Sequence, residues 1–169
     1  QFAGHPTLGT AHVCRALGLG GDDLKLDMQV GIIPVRASGD PWTLQANAPT
    51  WRKCTASRAT LAKMLGLAES DIGAEPLFVK AGKEQLIIPL ASERAVRSAR
   101  PDAATFAEVV NEDGQSMAYV FAELAQPQRL LSRFFFPVGS AVLEDPATGS
   151  ATANLSGSVV ATQRKHTVR

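Results

Sequence analysis

The sequence predicts an α+β fold built from two similar halves, and three observations carry that expectation. Strand-like and helix-like segments come in blocks rather than in strict βαβ alternation. The last helical segment, with Ala151, Thr152, Ala153, Asn154, Ser156, Gly157 and Ser158, is small on every side. A surface helix shows one apolar stripe and one charged face, so this one reads as a rod wrapped closely by a sheet. The third observation is a pattern that occurs twice at a constant offset, His5-Pro6-Thr7-Leu8-Gly9-Thr10-Ala11 and Asp145-Pro146-Ala147-Thr148-Gly149-Ser150-Ala151. Each copy reads as a helix start: Pro needs no N–H partner in the first turn, Asp145 suits an N-cap, and glycine admits close approach of a ligand.

The elements follow in order. A helix is predicted from Pro6 to about Leu17, closed by Gly18, Gly20 and Gly21. Leu26, Met28, Val30 and Ile32 alternate with Asp27, Gln29 and Gly31, which reads as one half-buried strand. Ser38-Gly39-Asp40 turns the chain into a partner strand over Trp42–Ala46, and Ala48-Pro49-Thr50 breaks the pattern as a linker. The expected division is residues 1–50, the C-terminal part of a first domain, and 51–169, most of a second. Within the second, a helix is predicted over Ser57–Leu67 and a hairpin joins Leu77–Val79 to Gln85–Ile88. A further helix runs from Ala103 to Val110, with Phe106, Val109 and Val110 facing inward. Strands then form around Met117–Phe121 and Leu130–Phe136, and the last helix runs from Asp145 to about Thr162.

Composition narrows the function. The chain has 169 residues, 45% of them hydrophobic, and a net charge of +1. No basic stripe interleaved with aromatics is present, so nucleic acid is not an expected partner. Arg94, Arg97 and Arg100 lie at helical spacing and read as a solvated face. No apolar run approaches the roughly 20 residues that span a bilayer, so no membrane association is expected. Cys14 and Cys54 form no CxxC or metal spacing; Cys14 reads as a buried structural thiol, which suits a reducing cytoplasm. His5, His12 and His166 are too scattered to suggest a metal site. His12, Trp42 and Trp51 read as packing residues, and Phe134-Phe135-Phe136 as alternating core.

Phe2-Ala3-Gly4-His5-Pro6 with Gly9-Thr10-Ala11, and Glu144-Asp145-Pro146-Ala147-Thr148-Gly149-Ser150-Ala151, resemble the two signature motifs of the PhzF-like phenazine-biosynthesis isomerase family. Arg133-Phe134-Phe135-Phe136-Pro137 resembles the strand that leads into its site. The resemblance implies a diaminopimelate epimerase-like α+β fold, in which each of two domains wraps a mixed sheet around a central helix. It also implies a small carboxylic-acid substrate held between two helix N-termini, with neither metal nor organic cofactor. Free N–H groups and the positive end of the helix dipole suit a carboxylate. Anion binding is therefore assigned to the amides of Gly4 and Ser150, with Thr148 and Gly149 shaping the loop.

By the same resemblance His5 and Asp145 border the reacting atoms. His5 would orient the substrate or relay a proton, histidine being the side chain that ordinarily titrates nearest neutrality. Asp145 would hydrogen-bond or shuttle a proton, and burial in the cleft would favour its protonated form. Related epimerases carry cysteine at both places, so thiol chemistry is disfavoured here. The family's principal base is a glutamate upstream of the Gly-His-Pro motif, before the first residue of this sequence. Without it, and without further strands after the last helix, the polypeptide alone is expected to be inactive. Three readings stand: an isomerase or epimerase of a small acid, an acid-binding module without catalysis, and a fragment with no function of its own whose open sheet edges associate with a second copy, as in a homodimer, or with a missing segment.

Overall fold

The structure, a computed structural model, describes residues 4–29, 31–126 and 129–162. Its chain divides between two sheets. The first is an antiparallel meander of β1 (Asp23–Met28), β2 (Gly31–Ala37) and β3 (Trp42–Leu44). Helix α1 (Gly4–Ala16) lies on it, and Ala11, Ile33 and Val35 form the centre of the contact. The second sheet has six strands in sequence order: β4 (Thr50–Lys53), β5 (Leu77–Lys80), β6 (Gln85–Pro89), β7 (Ala118–Glu123), β8 (Leu130–Val138) and β9 (Ala141–Asp145). Its pairings are antiparallel except β6 with β7. A parallel neighbour demands a long crossover, and here it carries α3 (Glu93–Ser98) and α4 (Ala103–Glu108).

Strand periodicity sorts the six-stranded sheet's side chains into two layers. Phe78, Leu86, Ile88, Val120 and Phe135 pack with α3, α4 and α2 (Arg58–Leu65) on one face. Leu77, Val79, Ile87, Tyr119, Phe121 and Phe134 face the other way, where Ala151 and Leu155 of α5 (Gly149–Ala161) meet them. Strand β6 is therefore buried on both faces, which explains its unbroken Leu86-Ile87-Ile88 run. Ser57, Ser92 and Asp102 cap α2, α3 and α4 by accepting a backbone N–H three residues on. Gly66, with φ of +64°, closes α2.

The small-residue helix does pack closely against its sheet. A Cβ on Gly157 would lie 2.6 Å from Pro49 Cβ and 2.7 Å from Val79 Cγ1, two atoms with little freedom to move. Its burial is one-sided, since Thr152 and Val160 are exposed.

Several expectations are corrected. The alternating stretch through Ile32 is not one strand, because Met28 pairs with Gly31 and the chain reverses between them. Paired residues point to the same face, so the reversal flips the parity of the pattern. Ile32 is consequently 65% exposed, while Ile33 is 4% exposed. Strands β4 and β9 were not expected. Helix α4 stops at Glu108 with Val109 in an extended conformation, which leaves Val110 exposed rather than inward. Cys14 is half-buried rather than buried. The duplicated motif also takes two different helical registers: α1 starts at Gly4, one residue before His5, whereas α5 starts four residues after Asp145.

Replacing Gly157 with Ala tests the helix contact. Steric crowding of a rigid core typically costs about 1–3 kcal/mol, against a helix-propensity gain of about 1 kcal/mol. A net loss of stability is expected, read as a lower urea midpoint with unchanged slope.

Candidate functional site

The first turns of α1 and α5 line one cavity of about 180 Å³. Gly4, His5 and Leu8 come from α1, and Gly149, Ser150 and Ala153 from α5. Leu44, Ala46, Ala81 and Gly82 complete an otherwise apolar wall. Of the residues assigned from sequence, Gly4, His5, Gly149 and Ser150 therefore share this cavity. Asp145 and Thr148 sit half-buried in the turn leading into it.

That turn has a specific hydrogen-bonding pattern. Asp145 ends β9, and its carboxylate accepts the Ala147 N–H at 3.1 Å and the Thr148 hydroxyl at 2.7 Å. Asp145 is thus not the N-cap of α5: its Asx turn holds residues 145–148 out of the helix, and Thr148 stands at the cap position. Thr148 makes no side-chain capping bond, because its hydroxyl is turned back onto Asp145. The amides of Gly149, Ser150 and Ala151 precede the first bond of the helix, Thr152 N–H to Thr148 C=O. A helix start with its natural acceptor diverted in this way offers donors to a ligand.

Asp145 also differs in protonation from expectation. The Thr148 hydroxyl first, and the Ala147 amide next, hold its carboxyl below the usual aspartate value of 3.8, outweighing burial; His5 adds a small push in the same direction. Donors to the charged form stabilise it. Asp145 is accordingly an ionised acceptor near His5, not a protonated acid.

Two supports position the turn. Arg133 forks onto Glu144, with Nε to Oε1 at 2.9 Å and Nη2 to Oε2 at 2.7 Å. Its Nη1 donates to the carbonyls of Val96 and Ala99 at the end of α3. This pins β9 one residue before Asp145. On the other side of the cavity, Glu84 holds the β5–β6 turn. It accepts Arg52 Nε at 2.9 Å and Nη2 at 2.8 Å, plus the Glu112 amide at 2.8 Å. Burial pushes the Glu84 carboxyl up, yet Arg52 and the Glu112 amide together bring it below its usual value.

Sequence reasoning missed two residues. Asn154 and Gln85, 0% and 2% exposed, link α5 to the β5–β6 turn. Asn154 Oδ1 accepts the Ala81 amide at 2.7 Å, and its Nδ2 donates to Lys83 C=O and Gln85 Oε1, both at 2.8 Å. Gln85 Nε2 then donates to Ser150 Oγ at 3.1 Å. The available signal was a polar residue opening an apolar strand and another within a helix of small residues. His12 is exposed and meets Trp42 edge-on. Trp51 is also exposed, at 49%.

A larger groove of about 720 Å³ lies between α4 and the β8–β9 hairpin, where Phe136 is found. None of its described lining residues is an acid, histidine or cysteine, and Lys83 is the one ionisable side chain among them. Among the described residues no cluster of three potential metal ligands occurs, and no helix is long and apolar enough to cross a membrane.

Each of the two sheets carries a helix, and the starts of those two helices open on one cleft. A Bacillus anthracis phenazine biosynthesis protein of the PhzF family has the same fold, with a TM-score of 0.79 at 21% identity over 94% of this chain and 57% of that one. A Pseudomonas aeruginosa protein described as a predicted epimerase gives a TM-score of 0.68 at 20% identity, over 96% of this chain and 58% of that one. Residues 1–168 match the PhzC-PhzF family, described as phenazine biosynthesis-like protein, and the chain belongs to that family. Among curated relatives, an uncharacterised isomerase of Pasteurella multocida is 31% identical over 92% of this chain and 52% of its own length. One from Bacillus subtilis is 29% identical over 90% and 55%. The chain thus spans about half the length of the curated relatives it matches.

The Glu84 support is testable through pH. A carboxyl held below its usual value stabilises the fold fully above the unfolded value, and the contribution disappears as pH falls through the folded one. Glu84→Gln is expected to lower stability by about 2 kcal/mol at neutral pH, less than a fully buried pair would lose because Arg52 is partly exposed. The urea-midpoint gap between variant and parent should close as pH drops below the usual glutamate value of 4.5.

Proposed function

We propose that this chain supplies the central part of the substrate cleft in a cofactor-independent isomerase or epimerase that moves a proton within a small amino or hydroxy acid. The observation that carries this reading is the diverted cap. The Thr148 hydroxyl serves Asp145, which leaves the α5 amides free on a small cavity that the start of α1 also lines. The substrate carboxylate takes the amides of Ser150 and Gly4, without a lysine or arginine. Fixed donors of this kind also stabilise negative charge as it develops on the carboxylate during proton removal from the adjacent carbon.

The two polar groups beside the cavity then divide their work. Asp145, already accepting two hydrogen bonds, is a weak base. It holds a substrate N–H or O–H. His5 carries the proton between solvent and the substrate. The membership in a family whose relatives are called isomerases supports this assignment, as do the small, largely apolar walls, which suit a compact acid. The setting is a cytoplasmic protein that pairs with a second copy, divided near residue 50 into two domains.

The test is deuterium incorporation at carbon when the protein that carries this chain meets a panel of small amino and hydroxy acids in D2O, read by mass spectrometry. Exchange into at least one acid is expected. Asp145→Asn, whose Oδ1 can still accept from Ala147 while its Nδ2 can donate to the Thr148 hydroxyl, should slow it on the order of 10²-fold with little change in melting temperature. Because Asp145 stays ionised down to below 3.8, the variant should lower the rate at every pH above that value without moving an acid limb. Saturable binding of acids with no incorporation of deuterium would replace catalysis with the binding-module reading.

A further inference from the structure

We infer that Gln85 and Asn154 are positioning residues that set the hydrogen-bonding polarity of Ser150, so that its hydroxyl is presented to a bound carboxylate as a donor. The inference rests on the cleft being a carboxylate site, and it adds the groups that make its α5 end selective for an acceptor.

Two backbone groups of unambiguous character start the argument. The Ala81 N–H can only donate and the Lys83 C=O can only accept. Asn154 contacts both, with Ala81 N at 2.7 Å from Oδ1 and Lys83 O at 2.8 Å from Nδ2. The orientation of the buried amide is therefore fixed by its partners rather than free to flip. Its second Nδ2 proton goes to Gln85, 2.8 Å away, which makes the facing Gln85 atom Oε1. The other end of Gln85 must then be Nε2, and it donates to Ser150 Oγ at 3.1 Å. Ser150 Oγ is an acceptor in that contact, so its own proton points elsewhere.

Elsewhere is the cavity. Helical hydroxyls commonly turn back onto the carbonyl four residues before, as Thr152 does to Thr148 and Ser156 does to Thr152. For Ser150 that residue is Pro146, which lies before the helix begins. No described residue takes the Ser150 proton, and Ser150 lines the cavity. A chain of buried amides thus occupies one Ser150 lone pair and leaves its proton for a ligand, beside the free α5 amides. A carboxylate satisfies all of them, whereas an ammonium group at the same point would meet the amide donors and find only the one remaining Ser150 lone pair.

The experiment titrates the protein that carries this chain with butanoate, a short carboxylate whose alkyl body suits Leu8, Leu44 and Ala153. The readout is the shift of the Gly149 and Ser150 amide signals. Gln85→Met, close in volume and neutral, should weaken binding about 3- to 10-fold, and Ser150→Ala by a similar factor. The double variant should be no weaker than Ser150→Ala alone, and Ser150→Thr should retain the parent's affinity. Gln85→Glu accepts from both Asn154 and Ser150, so it reverses the hydroxyl; it should lose more than tenfold in butanoate affinity and gain affinity for butylammonium. This second variant keeps the test decisive if Gln85→Met does not fold. Losses in the two single variants that simply add, or a Gln85→Glu protein that still prefers butanoate, would overturn the relay and leave the carboxylate cleft standing. A parent protein that binds no butanoate and exchanges no acid would overturn both.

Discussion

The site depends on one buried side chain. Asn154 is wholly enclosed between α5 and the β5–β6 turn, where an amide without partners would cost about 1–3 kcal/mol. Its three bonds to Ala81, Lys83 and Gln85 can be made at only one depth and one rotation of the helix. Gly157 permits that depth by leaving room for Pro49 and Val79. Everything at the start of α5, from the orientation of Ser150 to the direction of the free amides, inherits this constraint. Ala81 and Gly82, which form the opposite wall of the cavity, are held by the same bonds.

Two carboxylates illustrate how environment divides labour. Glu84 is buried, forked by Arg52 and closed by the Glu112 amide; its lone pairs are spent on holding the turn in place. Asp145 meets a hydroxyl and an amide from its own turn and remains half-buried. Both are held in the charged form, yet only Asp145 has capacity left for a ligand. Arg133 contributes from a distance by tying Glu144 to the end of α3, so that the strand delivers Asp145 to the same point each time the chain folds.

The legible parts of the fold were those with local causes. Ser57 and Gly66 bracket α2 much as a serine before, and a glycine after, an amphipathic stretch should. The β5–β6 hairpin followed from the short polar stretch between two apolar runs. The reading failed where local pattern was ambiguous. Alternation through Leu26 and Ile32 continued across a two-residue reversal, and nothing in the alternation marks the point at which inside and outside exchange. Strand β9 was hidden because Asp145-Pro146 resembles a helix start, while its pairing with Phe134 draws Asp145 into the sheet.

The sequence by itself determined the composition of the site: His5 at one helix start, Asp145 in the turn before another, glycine and hydroxyl residues beside them, and a helix of small residues that can lie close on a sheet. Those are properties of residue type and spacing, which a linear chain already contains. Only the tertiary structure decided that Asp145 is ionised, that Thr148 turns its hydroxyl away from the helix it caps, and that Gln85 and Asn154 govern Ser150. Each of these is a matter of which donor meets which acceptor. For the Asn154 network the partners lie 69 to 73 positions apart in the chain, a separation that no local pattern can span.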